Sequence, residues 1–343
     1  MAKVLVIRAS SFGDVAMLVP VIFSVAAKYP QDRFTVMTRK AFSPLFENLS
    51  FNINVMPLDV NKKHKGIRGL LKITGKATAA RFTHVVDVHD VLRSKIIRTA
   101  IMLSGKKVAH INKGREEKKH LIETKQLVPP LKHTTERYME VFEKLGFGAP
   151  ITFNNFFDFI PRDFSRLYPL VTEKKGKWIG VAPFARHKGK IYPLEKTEQI
   201  VEILSKEKGT TVFLLGAGKE ENKVLTSWEK KYPNVINTTR KFNLERELLL
   251  ISYFDVMLSM DSANMHLASL VQTPVVSIWG ATHPSLGFYG FRQDINNAVQ
   301  TELYCRPCAV FGELPCQRKD YACLEMITPE SVIKHIHKVI DIE

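Results

Sequence analysis

An acidic residue near the start of the chain could act on a substrate hydroxyl. The apolar run Val4–Ile7 is followed by the small-residue turn Ala9–Gly13, and Asp14 comes directly after that turn. A carboxylate there could serve as a general base if a hydroxyl group comes within hydrogen-bond reach. The alternative is that Asp14 only complements the positive end of a helix dipole, because acidic residues are common in the first turn of helices.

Five residues in the second half of the chain could surround a phosphate group. Lys190 ends a basic loop that follows another apolar run, and its ammonium group could neutralise a diphosphate. Asp261 is predicted to cap a helix, while Ser262 and Ala263 are small enough to admit phosphate to its N–H groups. His266 lies in the first turns of the same helix. The alternatives are a solvated loop lysine and an ordinary core histidine.

The glycine-containing turns argue against two common classes of nucleotide-binding protein. The turn Arg8–Asp14 lacks the G-x-G-x-x-G pattern of dinucleotide-binding folds, and the chain has no G-x-x-x-x-G-K-[ST] phosphate loop. Gly216-Ala217-Gly218 resembles half of a nucleotide-binding fingerprint at the start of a helix. Glu220 in that helix could accept hydrogen bonds from ribose hydroxyls, or could be only an acidic helix start.

All four cysteines lie in one short segment near the end of the chain. Cys305, Cys308, Cys316 and Cys323 form the pattern C-x2-C-x7-C-x6-C. This clustering excludes a disulfide framework that spans a secreted fold. Four thiolates in one loop could hold a structural zinc ion, but only the first pair has the C-x2-C spacing of zinc ribbons. Structural zinc and reduced thiols are therefore both possible.

Alternating strands and helices must position these side chains. Short β-branched runs typical of buried parallel strands alternate with helical segments, which indicates an α/β fold. The predicted strands are Lys3–Arg8, Phe34–Met37, Thr83–Val88, Lys107–Ile111, Lys177–Ala182, Thr210–Leu215, Phe254–Ser259 and Pro274–Trp279. The predicted helices are Asp14–Lys28, Leu92–Leu103, Leu194–Lys206, Lys219–Lys231, Asp261–Leu270 and a last helix with Thr328 as N-cap and Pro329 at its first position.

The pattern restarts after residue 175, so we expect two doubly wound domains. The first would comprise residues 1–165 and the second residues 175–327, with the join in a segment that contains Pro150, Pro161 and Pro169. Ligands of such sheets bind beyond the carboxyl ends of the strands. Every candidate residue named above except the cysteines follows a predicted strand, which agrees with that rule.

The chain carries a large excess of positive charge and no apolar run long enough to cross a bilayer. It has 343 residues, with 50 Lys and Arg against 34 Asp and Glu, for a formal net charge of +16. The N-terminus lacks the apolar core and cleavage site of a signal peptide, so we expect a cytoplasmic protein. The charge indicates an anionic partner. The basic runs Lys62–Arg68 and Lys113–His120 lack aromatic residues, which argues against single-stranded nucleic acid.

Four motifs, in order along the chain, resemble those of one enzyme family. Ser10-Ser11-Phe12-Gly13-Asp14 is similar to the S-S-x-G-D opening of the family-nine glycosyltransferases, the ADP-heptose:lipopolysaccharide heptosyltransferases. Lys190 with Pro193 matches the K-x-[WY]-P element, Asp261–Ala268 resembles D-[ST]-G-x-x-H-L-x, and Ile278–Pro284 resembles Y-G-x-T-x-P. Two departures are Ala263-Asn264, where the family has glycine and its neighbour, and His89-Asp90, where it has Q-G.

The resemblance implies GT-B architecture and an inverting transfer. Two Rossmann-like domains would face a central cleft, and the last helix, within residues 328–343, would return to the N-terminal domain. Asp14 would take the proton from the acceptor hydroxyl as it attacks the sugar carbon of the donor substrate, ADP-heptose. Catalysis would require no metal ion or other cofactor, because Lys190 and the helix start at Ser262-Ala263 would stabilise the leaving diphosphate. The remaining donor-binding residues would be Glu220 at the ribose, Phe242 beside the adenine, and Asp261 and His266 at the phosphate loop or the sugar.

The acceptor that the resemblance implies is the phosphorylated inner core of lipopolysaccharide, carried on lipid A. The protein would then be peripheral on an anionic surface, the cytoplasmic face of the inner membrane. The candidate acceptor-side residues are Ser10, Ser11, Gly13, Lys62, Lys63, Arg68, Arg115, Lys118 and Lys119. The alternatives are a related transferase that uses another nucleotide sugar, and a non-catalytic protein that binds a nucleotide sugar or a membrane surface. The two basic runs could also be solvated charges without a partner.

Overall fold

The computed structural model describes residues 1–341 and divides into two compact α/β units. Unit 1 contains Met1–Lys113 and Thr134–Pro161, and unit 2 contains Gly114–His133 and the chain from Arg162 onward. The change of unit at Arg162 lies within the proline-containing segment of the sequence. Within residues 1–341, no helix combines the length and the apolar character that a membrane span needs.

Residues 114–133 belong to unit 2, although the sequence placed them in the N-terminal domain. The reason is a set of contacts with distant residues of the second half. The Leu131 N–H donates to Ser285 O at 2.8 Å, and Lys125 Nζ donates to Pro307 O at 2.6 Å. The predicted N-terminal domain, residues 1–165, therefore has to give up residues 114–133 to the second unit.

Unit 1 is built on a five-stranded parallel sheet in the order β3-β2-β1-β4-β5. Its strands are β1 (Lys3–Ile7), β2 (Arg33–Arg39), β3 (Ile53–Leu58), β4 (His84–Asp87) and β5 (Lys107–His110). Its helices are α1 (Phe12–Lys28), α2 (Gly66–Ala79), α3 (Leu92–Met102) and α5 (Thr134–Glu143). The chain proceeds from β1 to β2 and β3 on one side and then to β4 and β5 on the other. The strand order thus reverses between β1 and β4, which makes a topological switch point.

Helices α2 and α3 cover one face of this sheet. Ile73 and Ala77 of α2 share a buried cluster with Ile97 and Ile101 of α3 and with side chains of β1. These positions recur every three or four residues, so each helix buries one side only. The opposite sides of both helices face solvent.

Unit 2 is built on a six-stranded parallel sheet in the order β11-β10-β9-β6-β7-β8. Its strands are β6 (Lys177–Ala182), β7 (Thr210–Leu214), β8 (Val235–Asn237), β9 (Val256–Met260), β10 (Val275–Trp279) and β11 (Ala298–Gln300). Its helices are α4 (Arg115–Thr124), α6 (Leu194–Lys206), α7 (Gly218–Lys231), α8 (Leu244–Ile251), α9 (Ala263–Leu270), α10 (Ala322–Glu325) and α11 (Pro329–Ile340). Here the strand order reverses between β6 and β9.

The last helix, α11, packs within unit 2, so the expectation that it returns to the N-terminal domain is wrong. Val332 and Ile336 are fully buried in the core that also contains residues of β9 and β10. Thr328 caps the helix as predicted, because its hydroxyl accepts the Ser331 N–H at 3.2 Å, and Pro329 occupies the first turn. The apolar side of α11 therefore packs against the sheet of its own unit.

Candidate active site

Asp14 lies at the switch point of unit 1, in the first turn of α1. Arg8, directly after β1, forms an ion pair with it, with 2.6 Å between Nη2 and Asp14 Oδ2. The buried Arg8 guanidinium also donates to Val88 O, just after β4, at 2.5 Å. Ser11 donates its N–H and its hydroxyl to the same carboxylate oxygen, at 3.1 and 2.5 Å. One arginine therefore ties the carboxylate to two adjacent strands.

These contacts keep Asp14 ionised. Burial raises the pKa of Asp14, but the charge of Arg8 and the bonds from Ser11 outweigh it and bring the pKa to about 2. Burial likewise lowers the pKa of Arg8, and the Asp14 charge outweighs it, so the pKa of Arg8 rises. The Asp14 side chain is 23% exposed. The carboxylate is thus charged at neutral pH and accessible to a small polar group.

His89 borders the same switch point, where the family pattern has an amide side chain. Its Nε2 lies 3.3 Å from Ser10 Oγ. Burial and then the charges of Arg8 and Lys113 lower the pKa of His89 to about 3. The imidazole is therefore neutral at physiological pH and can exchange a hydrogen bond with a hydroxyl in either direction, depending on its tautomer.

The backbone of the His89-Asp90 segment is fixed by an internal carboxylate. Asp87 Oδ1 accepts the N–H groups of His89 and Asp90, each at 2.9 Å. Arg98 of α3 bridges Asp87 Oδ2 and Asp90 Oδ1, at 2.8 and 2.9 Å. The departure from Q-G therefore keeps an ordered turn at this position.

Lys190 and Asp261 meet at the switch point of unit 2. Lys190 ends a short 3₁₀ turn after β6, and Asp261 follows the neighbouring strand β9. Lys190 Nζ and Asp261 Oδ2 are 2.7 Å apart, and both side chains are largely buried. Thr282, after β10, donates its hydroxyl to the same Asp261 oxygen at 2.8 Å. Three adjacent strands each contribute one residue to this polar cluster.

The start of α9 differs from its prediction. Ser262 occupies the N-cap position and Ala263 is the first helical residue, so Asp261 lies one residue too early to cap the helix. Its carboxylate is drawn to Lys190 instead, because a charged donor binds a carboxylate more strongly than a backbone N–H does. The Ser262 side chain makes no capping bond, which leaves N–H groups of the first turn available to an anion. His266 is buried in the same helix.

Two residues that sequence reasoning missed support this cluster. Arg306 is buried and donates to Gly280 O at 2.5 Å and to Thr282 O at 3.0 Å, which fixes the turn after β10. Gly312 has a φ of +74° and packs against the Lys190 side chain, where a Cβ atom would lie 2.6 Å from Lys190 Cγ. Both residues belong to the cysteine-containing segment, which therefore wraps over the Lys190–Asp261 pair.

Glu220 and Phe242 lie along the same edge of the unit 2 sheet, at the ends of β7 and β8. Glu220 is exposed in the first turn of α7 and accepts from Lys223 Nζ at 2.9 Å. The Phe242 ring lies 4.6 Å from the Arg246 guanidinium. The switch point lies between β6 and β9, and β7 and β8 lie on the other side of β6. Glu220 and Phe242 are therefore one and two strands farther along the sheet edge than Lys190.

The predicted acceptor-side residues are divided between the two units. Ser10 and Ser11 form the turn before α1, and Gly13 lies in the first turn of that helix. The exposed basic residues of unit 1 are Lys62, Lys63 and Arg68. The basic residues that lie in α4, and therefore in unit 2, are Arg115, Lys118 and Lys119. Their assignment to the first domain is wrong, and Lys118 is buried with Nζ 4.2 Å from the centre of the Phe288 ring.

A structural metal ion fits the four cysteines poorly. Among residues 1–341, no three Cys, His, Asp or Glu side chains are grouped so that they could hold one ion. None of the four cysteines is paired in a disulfide bond. Burial raises the pKa of Cys308 and brings the pKa of Cys323 to about 11.

Comparison with known proteins identifies heptosyltransferases among the relatives of this chain. The family model for glycosyltransferase family 9 (heptosyltransferase) matches residues 71–314. The chain is 23% identical over 283 residues to the lipopolysaccharide core heptosyltransferase OpsX of Haemophilus influenzae, covering 81% of this chain and 79% of that protein. It is 24% identical over 312 residues to lipopolysaccharide heptosyltransferase 1 of Escherichia coli K12, covering 88% and 95%.

A solved structure agrees with the fold described above. The E. coli heptosyltransferase WaaC with ADP-2-deoxy-2-fluoro heptose has a TM-score of 0.68 at 16% identity, covering 98% of this chain and 99% of that one. This likeness supports two Rossmann-like α/β units of the GT-B class. The family model matches more than half of the chain. The chain belongs to glycosyltransferase family 9, and the protein is a glycosyltransferase.

Proposed function

We propose that this protein transfers heptose from ADP-heptose to the phosphorylated inner core of lipopolysaccharide, with inversion at the sugar carbon. Family membership, relatives named as lipopolysaccharide heptosyltransferases and a neighbour solved with an ADP-heptose analogue support the donor and the acceptor class. The observation that carries the proposal is the ionised, partly exposed carboxylate of Asp14 at the switch point of unit 1.

Asp14 is the proposed base that accepts the proton of the acceptor hydroxyl. A hydroxyl becomes acidic only as its oxygen bonds to the sugar carbon, so a weak but permanently ionised base can take the proton late in the displacement. The contacts from Arg8 and Ser11 all go to Asp14 Oδ2. This arrangement leaves Oδ1 to receive the substrate hydroxyl.

Lys190 and the start of α9 are the proposed groups that stabilise the leaving ADP. Negative charge accumulates on the diphosphate as the bond to the sugar breaks, and positive groups fixed in advance lower that barrier. Asp261 orients the Lys190 ammonium, which has three N–H donors and can contact a phosphate while it stays bound to Asp261. The N–H groups behind Ser262 and Ala263 add a second positive field. This scheme requires no metal ion.

Glu220 and Phe242 are proposed to select the nucleoside. Glu220 could accept both ribose hydroxyls once its side chain leaves Lys223, and its exposure makes that exchange easy. The face of the Phe242 ring is suited to an adenine, and Arg246 already stacks on this ring. His266, buried in α9, would hold in place the phosphate-binding turn at Ser262 and Ala263.

The acceptor places the proposed reaction at a membrane. Lipid A anchors the acceptor, so the protein would act as a peripheral protein at the cytoplasmic face of the inner membrane. Lys62, Lys63 and Arg68 supply exposed positive charge in the unit that contains Asp14. Phosphate groups of the acceptor are the partners that suit them.

Product analysis with purified protein tests the proposal. The protein is incubated with ADP-heptose and a phosphorylated lipid A inner-core acceptor, and product is followed by mass spectrometry and by NMR of the new linkage. We expect an acceptor heavier by one heptose, with the anomeric configuration opposite to that of the donor. Turnover only with another nucleotide sugar would overturn the assignment of heptose. Tight binding of ADP-heptose without product from any donor would favour a non-catalytic binding protein.

A further inference from the structure

The outward faces of α2 and α3 expose large apolar side chains to solvent. Ile67 and Leu71 of α2 are 78% and 62% exposed. On or next to α3, Leu92 and Leu103 are 76% and 80% exposed, and Met102 is 50% exposed. Ile96, one turn after Leu92, is partly exposed as well. Such exposure is costly in water unless the surface has a partner.

These side chains are arranged in stripes and not scattered. In α2, Ile67 and Leu71 are four residues apart, which places them on one side of the helix. In α3, Leu92, Ile96 and Leu103 recur with helical spacing. In α3 the core positions Ile97 and Ile101 lie on the opposite side of the helix, and in α2 the core positions Ile73 and Ala77 lie about a third of a turn from the exposed stripe. Each helix is therefore apolar on two sides, one against the sheet and one against solvent.

The two stripes belong to one surface. Helices α2 and α3 contact each other and cover the same face of the unit 1 sheet. Arg93, in the first turn of α3, donates from Nη1 to His64 O before α2 at 2.8 Å, which ties the starts of the two helices together. We call this surface the α2–α3 face, and its apolar members are Ile67, Leu71, Leu92, Ile96, Met102 and Leu103.

The chain segment that contains these apolar side chains is strongly basic. From Lys62 to Lys107 the chain has twelve Lys or Arg residues and two acidic residues, Asp87 and Asp90. Both acidic residues are already bound by Arg98. Exposed basic side chains that follow the apolar stripe of α2 include Lys72 and Lys76. This segment therefore carries a net charge of +10 out of the +16 of the whole chain.

We propose that the α2–α3 face docks on the surface of an anionic lipid bilayer, with its aliphatic side chains inserted among the lipids and its Lys and Arg side chains against their phosphates. Aliphatic side chains beside positive charges suit the surface of an anionic bilayer, because insertion of the apolar groups and attraction to the lipid phosphates both stabilise binding there. The six apolar members of the face include no aromatic ring that would stack on a nucleobase.

The proposed docking surface extends the proposed function, and the biological purpose of docking rests on that function. The starts of α2 and α3 follow the carboxyl ends of β3 and β4, the same edge of the sheet that carries Asp14. A bilayer on this face would hold a lipid-anchored acceptor near that edge. Docking itself requires no turnover, so it can be measured separately from catalysis.

Vesicle co-sedimentation of the full chain tests the proposal. The protein is mixed with phosphatidylglycerol-containing vesicles or with pure phosphatidylcholine vesicles, at low and high salt. We expect binding to the anionic vesicles, weakened by salt but not abolished, because salt screens the charges and leaves the apolar insertion. Absence of binding to anionic vesicles, or equal binding to both kinds, would overturn the proposal.

Matched variants separate the two contributions. Leu92→Ser with Leu103→Ser should weaken binding about tenfold or more at high salt, because two leucines lose their burial in lipid. Ile203→Ser with Ile295→Ser, exposed in unit 2, should have no effect. Lys72→Gln with Lys76→Gln should weaken binding mainly at low salt, and Lys208→Gln with Lys230→Gln, also exposed, should not.

Two further readouts keep the outcome unambiguous. Turnover of the leucine variant on detergent-dispersed acceptor should match wild type, which distinguishes lost docking from lost catalysis. Concentration-dependent light scattering should show no change in oligomeric state. A dimer that the leucine variant dissociates would assign this face to a second copy of the chain and overturn the lipid assignment.

Discussion

At the scale of single residues, Arg8 controls the pH range in which Asp14 is ionised. Arg8→Gln removes the charge that lowers the pKa of Asp14 and leaves the Ser11 bonds in place. We expect the pKa of Asp14 to rise, so that the acid limb of the kcat/KM profile moves to higher pH. The profile is measured well below the Tm of the variant, because loss of a buried ion-pair partner costs about 3–5 kcal/mol.

Two companion variants make the Arg8 result interpretable. Ser11→Ala removes the hydroxyl bond to Asp14, which lowers the pKa of Asp14 by less than the Arg8 charge does. This variant should therefore move the acid limb in the same direction by a smaller amount. Arg33→Gln removes an exposed arginine of unit 1 and should leave the profile unchanged. An acid limb that does not move in Arg8→Gln would show that Asp14 is not the group that titrates.

His89 should make stability depend on pH below neutrality. Burial first, with the charges of Arg8 and Lys113, holds the pKa of His89 at about 3, whereas its ordinary value is 6.5. Between these values the unfolded chain binds a proton that the folded chain does not, so the free energy of unfolding falls as the pH falls. The contribution of one such group is about 1.4 kcal/mol per pH unit.

Urea unfolding between about pH 6 and pH 4 checks this dependence. His89→Asn should reduce the slope of stability against pH by the contribution of one group. His120→Asn, at an exposed position of α4, should keep the wild-type slope. Equal slopes in all three proteins would mean that His89 is not held neutral by the fold.

The sequence located the candidate site residues better than it located their partners. Asp14, Lys190 and Asp261 follow strands, and that position alone predicted an edge of the sheet for each. Arg8 is six residues before Asp14 in the sequence, yet its position also depends on Val88, which follows another strand. The role of Arg306 depends on a turn 26 residues earlier. Sheet order decides such contacts, and local spacing does not reveal it.

At the scale of elements, the cysteine-containing segment should support donor binding through Gly312. Gly312→Ala places a methyl group against Lys190 at a φ of +74°. Gly209→Ala is a matched control in the same unit, because its φ is +76° and no atom lies within 4 Å of the added Cβ. Both variants should lose about 1–2 kcal/mol of stability from the left-handed backbone.

Only Gly312→Ala should weaken ADP binding. Displacement of Lys190 removes a charged hydrogen bond to phosphate, which corresponds to about a tenfold rise in Kd. Calorimetric titration of ADP into both variants measures the difference. Equal ADP affinity in the two variants would separate this segment from the donor site.

Central elements were predictable from the sequence and peripheral ones were not. The buried strands β1, β6, β9 and β10 are short β-branched or apolar runs, and each lies close to its predicted range. The edge strand β3 was missed, because Asn54 and Pro57 interrupt its apolar pattern. Helix α2 was interpreted as part of a basic run, since its three glycines and β-branched residues lower helix propensity. Packing on the sheet through Ile73 and Ala77 outweighs that local preference.

At the scale of the whole molecule, the two units have separate cores and should respond differently to ligand. Trp178, Trp228 and Trp279, the three tryptophans of the chain, are all buried in unit 2. Tryptophan fluorescence therefore monitors the unfolding of the unit that carries the proposed donor site. ADP at about a hundredfold excess over its Kd should stabilise this transition by about 2.7 kcal/mol.

Comparison of ADP with UDP, GDP and CDP in the same assay tests nucleoside selection. We expect a selective rise of the tryptophan transition with ADP and ADP-heptose. An equal rise with every diphosphate would indicate a phosphate site without adenine selection. Absence of any rise would remove the donor site from unit 2.

The distribution of charge over the molecule also follows from the fold more than from the sequence. Both basic runs were visible from the beginning, and their joint assignment to one domain was reasonable by position. The fold separates them, because residues 114–133 join unit 2 while α2 and α3 stay in unit 1. The apolar stripes of α2 and α3 become evident only when burial shows which side of each helix the core already uses.

The central claim is that Asp14 acts as the base in heptosyl transfer, and steady-state turnover of Asp14→Asn tests it most directly. This change removes the charge with little change of shape, while Asp14→Glu keeps the charge and moves it, and Glu47→Gln removes an exposed charge of unit 1 as a control. Circular dichroism, which reports on both units, first establishes that each variant is folded, and tryptophan fluorescence with ADP-heptose establishes that it binds donor. We predict that kcat of Asp14→Asn falls by about 10²–10⁴ with donor affinity retained, and that Glu47→Gln matches wild type. Wild-type turnover by folded Asp14→Asn would contradict the account.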